Sequence, residues 1–392
     1  MQANSIQEEQ DAMDELLQEY ANAMAGEGSV GDTTNEIEEE TPTVPEEPVI
    51  PTGPNGNPLT STVTSTEHTG TTTEDTLGNP VYIPGGFKIA DDSGSTVKDG
   101  IVIEDTSGNQ FVWIPVSNIN HDGSNKIKVD ENTEVEITLG RYTFDTTTGA
   151  ETIVQKGADY ANTVTLDYYF QELTEFREAD QSSYSSTKNA TAKDLAGFID
   201  SVSTNKGYYL ARYEASYSSG SAFGVGNDET YYKPASKVST ANSTDSMNYT
   251  AGTLWHLITQ GNASKTCRQM YYGNSYVESD LCNSYAWDTA IVYIQAMGNS
   301  NYANANRDTT GNTSLLNTGA TGDEVCKIFD MAANLWEWTT EYSTRTLSIN
   351  AYPCTFRGGV YLDSSYYTSL HLGVGAPNEG QGISFRPTLY VK

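Results

Sequence analysis

A narrow apolar stripe runs through the first 25 residues of the chain. The apolar residues recur at near-helical spacing, with acidic residues between them: Ile6, Met13, Leu16, Leu17, Tyr20 and Met24. This spacing predicts an amphipathic helix within residues 1–25. One stripe this narrow cannot form a core by itself, so we expect the helix to pack on a partner or to fray in water.

No hydrophobic period continues between residues 26 and 80. The segment is rich in Thr, Pro, Gly and Glu, and Thr41–Pro48 lies at its centre. Prolines favour extended polyproline II conformations, and closely spaced carboxylates repel one another. We therefore predict a disordered acidic linker over 26–80, without a core of its own.

Patterning typical of a folded domain begins near Val81. Ile101–Ile103 and Phe111–Val116 are apolar runs separated by the turn signal Ser107–Asn109, which predicts a β-hairpin. Residues 135–139 and 141–144 alternate apolar and polar side chains, as half-buried strands do. We assign residues 81–392 to one domain.

Helical periods occur at three places in this domain. Leu195, Phe198, Ile199 and Val202 share one face of a predicted helix over 194–202. A second helix is predicted over 253–260, capped by Gly261, and a third over 287–297. Residues 298–324 show no period and are expected to form a loop. Strands mixed with a few helices predict an α+β fold.

The charge of the chain limits its partners. Its formal net charge is -31, from 52 acidic and 21 basic residues. Nucleic acid is excluded as a partner because phosphate binding requires clustered Lys and Arg. No apolar run is long enough to span a bilayer, and Met1 is followed by polar residues rather than by a signal peptide.

Residue types that carry chemistry are few and scattered. The four cysteines lack the C-x-x-C spacing of a zinc site, and their even number favours disulfides over buried thiols: Cys267, Cys282, Cys326 and Cys354. His256 has no second histidine four residues away, and no G-x-S-x-G motif occurs. Glu337, between two tryptophans, is interpreted as a framework carboxylate that receives hydrogen bonds, although calcium binding or acid chemistry is an alternative. We expect no cofactor and no metal.

Three short strings near the C-terminus carry a family resemblance. They are Asn334–Trp338 (NLWEW), Arg357–Tyr361 (RGGVY) and Ile383–Pro387 (ISFRP). Their order and spacing resemble the formylglycine-generating-enzyme branch of the C-type-lectin fold. The resemblance implies a small twisted antiparallel sheet, two main helices and extensive loops. It also implies structural roles for Trp336, Glu337, Trp338, Arg357 and Arg386.

The segment between the last two motifs departs from the enzymes of this family. Residues 362–382 contain no cysteine, whereas the oxygen-dependent enzymes need a reactive cysteine pair in this region. The chain instead resembles the variable proteins of diversity-generating retroelements, which rewrite residues between these two strands by adenine mutagenesis. The resemblance implies a variable binding segment over 360–382, and most of its residues are reachable from Asn codons.

Tyr, Ser, Gly and Asn side chains make this segment an adaptable binding surface. The residues expected to contact a ligand are Tyr361, Asp363, Ser365, Tyr366, Tyr367, Ser369, His371, Asn378, Glu379 and Gln381. The ligand is expected to be a protein or another surface molecule, although its identity cannot be read from these residues.

The resulting hypothesis is a receptor or adhesin-like protein without enzymatic activity, displayed outside a bacterium or a phage particle. The N-terminal helix resembles the polar part of a pilin-like helix, so attachment to a membrane or filament through a preceding segment is expected. Two alternatives stay open. One is an enzyme, either related to the formylglycine-generating enzyme or an iron oxygenase, although no two-His-one-carboxylate spacing is present. The other is a structural pilin-like subunit.

Overall fold

A computed structural model describes residues 70–180, 188–242, 249–347, 350–375 and 382–392. All of these residues belong to one compact unit, Pro48–Lys392. The predicted N-terminal helix and residues 26–69 of the predicted linker lie outside the described residues. Within those ranges, no helix is long and apolar enough to cross a membrane.

Strands outnumber helices in the described parts of the chain. The helices are α1 (Leu195–Asn205), α2 (Gln260–Met270), α3 (Ser284–Ala296) and α4 (Arg307–Thr310), with 3-10 turns η1 (Gly157–Asp159) and η2 (Tyr302–Asn304). The strands are β1 (Thr71–Glu74), β2 (Pro80–Ile83), β3 (Phe87–Ile89), β4 (Val102–Asp105), β5 (Gln110–Pro115), β6 (Ile127–Lys128), β7 (Glu134–Val135), β8 (Gly140–Phe144), β9 (Glu151–Lys156), β10 (Phe170–Gln171), β11 (Gly207–Ala211), β12 (Ser216–Ser219), β13 (Lys233–Ala235), β14 (Val277–Leu281), β15 (Glu324–Val325), β16 (Ile328–Phe329), β17 (Trp336–Ser343), β18 (Thr346–Leu347), β19 (Asn350–Ala351), β20 (Cys354–Arg357), β21 (His371–Val374), β22 (Ile383–Phe385) and β23 (Pro387–Val391).

Two sheets form the centre of this α+β fold. The larger is antiparallel, with strand order β14-β23-β11-β5-β4-β3. The smaller has the order β10-β17-β20-β21, and β22 pairs with β17 in parallel. The predicted hairpin of residues 101–116 is confirmed as β4 and β5, which pair antiparallel.

Large aromatic side chains fill the core between the sheets and the helices. Trp113 on β5 packs against Tyr209 on β11, with ring centroids 5.0 Å apart, and both are fully buried. Trp287 on α3 is fully buried too. The predicted helix at 194–202 is confirmed as α1, which begins where the Asp194 side chain accepts a hydrogen bond from the Gly197 amide.

Two local predictions need correction. No helix spans residues 253–260, because Trp255 donates its amide to the Ala215 carbonyl in an extended segment. The helix begins at Gln260 instead, with Thr259 as its N-cap, so Gly261 lies in the first turn and not at the C-terminus. Of residues 135–139, only Val135 belongs to a strand, the two-residue β7.

Ordered structure begins earlier than the predicted boundary at residue 81. β1 pairs antiparallel with β2, which places Thr71–Glu74 inside the fold. Asp75 is fully buried and accepts hydrogen bonds from the amides of Asn79 and Val97, both at 2.8 Å. A buried carboxylate requires such donors, so this turn belongs to the domain. Composition did not predict strand β1, because Thr and Glu are also common in the linker.

The preference for disulfides is wrong as well. All four cysteines are free thiols, and Cys267, Cys282 and Cys354 are buried. A domain with a core of this size does not depend on covalent links for its stability.

Candidate ligand-binding surface

The three C-terminal motifs lie side by side in the smaller sheet. Glu337 on β17 is opposite Arg357 on β20, and opposite Ser384 on β22. Trp336 and Trp338 are 4% and 0% exposed, as the framework prediction required. The Trp338 indole donates to the Ile258 carbonyl at 2.8 Å, which fixes β17 against the loop before α2.

Arg386 joins this sheet to its surroundings. Its guanidinium contacts both carboxylate oxygens of Glu337, at 3.0 and 2.6 Å, and donates to the carbonyls of Ala211 and Phe329, both at 2.8 Å. Burial favours loss of the arginine proton, but the Glu337 carboxylate outweighs it and raises the pKa of Arg386. The Glu337 carboxylate therefore accepts hydrogen bonds from an arginine, which is the arrangement that a framework role requires.

Backbone crowding explains the glycines of the second motif. Gly358 has a φ of +91°, a left-handed conformation that favours glycine. A Cβ atom on Gly359 would lie 1.9 Å from the Ala332 carbonyl oxygen. The strand that leads into the candidate segment is therefore pressed against the turn before β17, and only glycine fits there.

The backbone of residues 361–369 is held by a neighbouring loop. The amides of Thr368 and Ser369 donate to the carbonyls of Ala305 and Ala303, both at 2.9 Å. From the opposite direction, the Asn306 side chain donates to the Ser364 carbonyl at 2.6 Å, and Arg307 donates to the Tyr361 carbonyl at 3.0 Å. These four bonds use backbone groups of the segment. Two of its side chains also take part, since the Thr368 hydroxyl donates to the Ala305 carbonyl at 3.1 Å and Asp363 accepts from the Ser365 amide at 2.8 Å.

The predicted contact residues differ in accessibility. Ser365 is exposed, and the half-buried ones are Tyr361, Asp363, Tyr367, Ser369 and His371. Asn378, Glu379 and Gln381 lie outside the described residues.

Tyr366 requires a correction. It is 1% exposed, and its ring meets Trp336 edge-on with centroids 4.7 Å apart. Because a ligand cannot reach it, Tyr366 belongs to the packing beneath the surface. A sequence rich in Tyr and Ser does not indicate which tyrosine side chain is buried in the core.

A buried ionic cluster lies directly below this surface. The Glu341 carboxylate on β17 accepts hydrogen bonds from Arg141 at 2.8 Å and from Arg357 at 3.1 Å. Arg357 also pairs with Asp288 on α3. All four side chains are fully or almost fully buried. The cluster therefore ties β8, α3, β17 and β20 together, and its charges need mutual compensation.

His371 connects the cluster to the surface. Its Nδ1 lies 3.3 Å from a Glu341 oxygen, and its Nε2 lies 2.9 Å from an Asp167 oxygen. The ring stacks on Phe170 at 4.1 Å. Arg357 Nη1 also lies 3.4 Å from Nδ1 and competes for that nitrogen. Only the imidazolium ion can donate to both carboxylates, so the two carboxylate contacts favour the protonated ring. Its side chain is 11% exposed, which leaves little of the ring for a ligand.

Electrostatics agree with this protonation state. Burial and Arg357 oppose the charge on His371, but Glu341 and Asp167 outweigh them and raise its pKa. Burial alone would raise the pKa of Glu341, but His371, Arg357 and Arg141 together hold it below its ordinary value. Together with Asp167, the cluster has three carboxylates and two guanidiniums. Its charges therefore sum to zero only when His371 carries a proton.

A pH-dependent contribution to stability follows from the raised pKa of His371. The contribution is complete below the unfolded pKa, near 6.5, and is lost as the pH rises through the higher folded value. We expect His371→Gln to lower the free energy of unfolding by about 1.5–3 kcal/mol at pH 6, and by much less at pH 9. Urea denaturation between these pH values measures the difference. His121→Gln, at an exposed histidine, is the control, and equal losses at both pH values for His371→Gln would contradict the assignment.

A tight turn beside His371 was missed by the sequence reasoning. Asp167 and Tyr168 have φ values of 45° and 66°, and both the Tyr169 and Phe170 amides donate to the Leu166 carbonyl. Consecutive left-handed residues other than glycine are strained, and such strain concentrates at functional sites. Tyr168 is 83% exposed, so the turn presents an aromatic ring next to the segment. Asp-Tyr lacks the Asn-Gly signature of such turns, so no sequence signal marked it.

The surface offers rings and hydroxyls on a fixed backbone, and two of the thiols in the domain are poorly suited to act as nucleophiles. Burial raises the pKa of Cys326 and of Cys354 to about 12, which keeps both thiols protonated at neutral pH.

Among the described residues, no group of His, Cys, Asp and Glu is arranged to hold a metal ion. Comparisons of this chain with protein-family models, with curated proteins and with solved structures found no match.

Proposed function

We propose that this chain is a ligand-binding protein without enzymatic activity. In this proposal the domain has a C-type-lectin fold of the formylglycine-generating-enzyme branch. It acts as the variable protein of a diversity-generating retroelement, displayed as a receptor or adhesin on a bacterium or phage particle. The segment that follows Arg357-Gly358-Gly359 carries the variable contacts, and no cofactor takes part.

One observation carries the proposal. Between Tyr361 and Ser369 the backbone is held mainly by hydrogen bonds to residues 303–307, while the side chains of Tyr361 and Ser365 retain access to solvent. Side chains that do not hold the backbone can change identity at small cost, since surface substitutions usually shift stability by about 0.5 kcal/mol or less. In a variable recognition segment, the side chains that contact the ligand must be able to change while the backbone stays in place.

The chemistry of the surface suits a protein ligand. Tyr361 and Tyr367 offer large amphipathic area at low entropic cost, and Ser365 and Ser369 add adaptable hydrogen bonds. Tyr168 supplies a further exposed ring from outside the segment. Aromatic residues of this kind carry most of the binding energy in protein interfaces. The charge of -31 favours a ligand without a strongly acidic surface.

The state of the thiols favours binding over catalysis by cysteine. A thiolate is the reactive form, and burial is the largest cause of the raised pKa at both Cys326 and Cys354. Cys354 is fully buried on β20. Aldehyde formation on a cysteine-containing peptide that depended on either thiol would favour the enzyme instead.

Sequence variation in a natural population tests the proposal. Deep sequencing of this gene from many cells should find codon changes concentrated between residues 361 and 381 and confined to adenines of the coding strand. Codons for Trp336, Trp338, Arg357 and Arg386 should stay constant, because these side chains hold the frame. The matched control is the equally polar loop 311–322, where no excess is expected. Changes spread evenly over both segments would contradict the proposal.

A further inference from the structure

A polar cavity lies away from the candidate segment, at one end of the larger sheet. It encloses about 400 Å³, and its walls come from the turns before β3 and after β4, the β12–β13 hairpin and the end of α2. That volume is within the range of small-molecule sites. Phe87, Tyr271 and Tyr276 contribute aromatic rings to a lining that is otherwise mostly polar.

Two irregularities of the backbone shape the cavity. The pairing of β12 with β13 skips one residue between Tyr217 and Ser219, which forms a β-bulge at Ser218. Ser218 and Ser219 are exposed and line the cavity. Gly86 has a φ of +86°, and nothing lies within 4 Å of a Cβ atom built on it. Bulges re-aim side chains near sites, and glycine permits close approach of a ligand to the backbone.

The cavity is rich in unused hydrogen-bond donors. Within the described parts of the chain, the Lys233 ammonium forms no ion pair or hydrogen bond, and the amides of Gly85 and Gly86 donate to no protein atom. The hydroxyls of Ser218 and Ser219 likewise make no hydrogen bond there. Uncommitted donors that converge on one cavity favour an anionic ligand.

The carboxylate in the cavity wall, Asp105, is already hydrogen-bonded through both oxygens. One oxygen of Asp105 accepts from the amides of Ser107 and Asn109, both at 2.8 Å. The other accepts from the Asn109 amide side chain at 2.9 Å and from the Tyr271 hydroxyl at 2.6 Å. These four hydrogen bonds use the acceptor capacity of Asp105, so Lys233 is the charged side chain of the lining that has bonding capacity left for a ligand.

We propose that this cavity binds a small hydroxylated anion of about monosaccharide size, such as a sugar acid or a sugar phosphate. The anionic group contacts Lys233 and the amides of Gly85 and Gly86. The hydroxyls contact Ser218 and Ser219, and an apolar face of the ligand lies on Tyr276. The site is independent of the variable segment, since none of its walls belongs to residues 360–382.

Isothermal titration of the full chain with four probes tests this site. D-glucuronate and glucose 6-phosphate represent the two sources of negative charge, and either one binding at least about 10-fold more tightly than glucose and than inorganic phosphate supports the proposal. Glucose binding as tightly as both anions would overturn it. Inorganic phosphate binding as tightly as both sugar anions, or an absence of binding by all four, would overturn it too.

Two substitutions locate the binding. Lys233→Met keeps the length of the side chain and is expected to weaken binding of the anionic sugar about 10- to 100-fold, the effect of losing a charged hydrogen bond. Ser219→Ala, at an exposed position that the fold does not need, is expected to weaken it about 2- to 10-fold. Lys98→Met removes the same charge from an exposed site outside the cavity and should leave binding unchanged. Unchanged binding in Lys233→Met would contradict the proposal.

Discussion

Arg386→Met is expected to lower the free energy of unfolding by about 3–5 kcal/mol, because it leaves the Glu337 carboxylate buried without its cationic partner. Both Glu337 oxygens lose a donor, and so do the carbonyls of Ala211 and Phe329. Urea denaturation at pH 7 measures the loss. Burial raises the pKa of Glu337, so we expect the deficit to shrink on acidification as Glu337 takes up a proton.

Arg268→Met is the matched control for this experiment. Arg268 also pairs with a glutamate, Glu178, at 2.9 Å, but the Glu178 side chain is 48% exposed. Water can solvate that carboxylate after the arginine is removed, so the expected loss is below about 1 kcal/mol. Similar losses in the two variants would mean that burial of the Glu337–Arg386 pair has no special importance for the frame.

Glu341→Gln should have an effect of comparable size on the ionic cluster beneath the candidate surface. The substitution keeps the shape of the side chain but removes the negative charge shared by Arg141, Arg357 and His371. Uncompensated buried cations cost about 3–5 kcal/mol. The imidazolium also loses one of its two carboxylate partners, so the pKa of His371 should fall, which NMR titration of the ring measures.

Glu324→Gln provides the comparison. Glu324 pairs with Lys327 at 3.5 Å, and its side chain is 46% exposed, so the expected loss is below about 1 kcal/mol. The pKa of His371 should stay unchanged in this variant. A His371 pKa that also stays unchanged in Glu341→Gln would contradict the protonated bridge between the cluster and the surface.

The sequence was most informative where residues close in the chain also act together. Trp336, Glu337 and Trp338 were expected to be structural, and they occupy one strand, β17. Arg357 lies on the paired strand β20, and Arg386 directly follows the paired strand β22. The period of Leu195, Phe198 and Ile199 placed α1, because it buries a single face and begins at a strong cap. The α+β class followed from such local patterns.

The sequence could not predict ion pairs between residues that are far apart in the chain. Arg141 and Glu341 are 200 residues apart in the chain, and neither belongs to a local motif. The same holds for His371 and Asp167, which are 204 residues apart. Local propensity also misplaced α2, since Thr253–Gln260 has an apolar period that sheet-like pairing overrides. The left-handed turn at Asp167 and Tyr168 also lacked a local sequence signal.

The position of β23 determines when the fold can be completed during synthesis. Pro387–Val391 lies between β14 and β11 in the larger sheet. Until this strand is made, β14 is not joined to the other four strands of the sheet. The ribosome must translate the candidate segment before it reaches these residues. A premature stop codon or frameshift in that segment therefore yields a chain with an open sheet, which proteases can degrade.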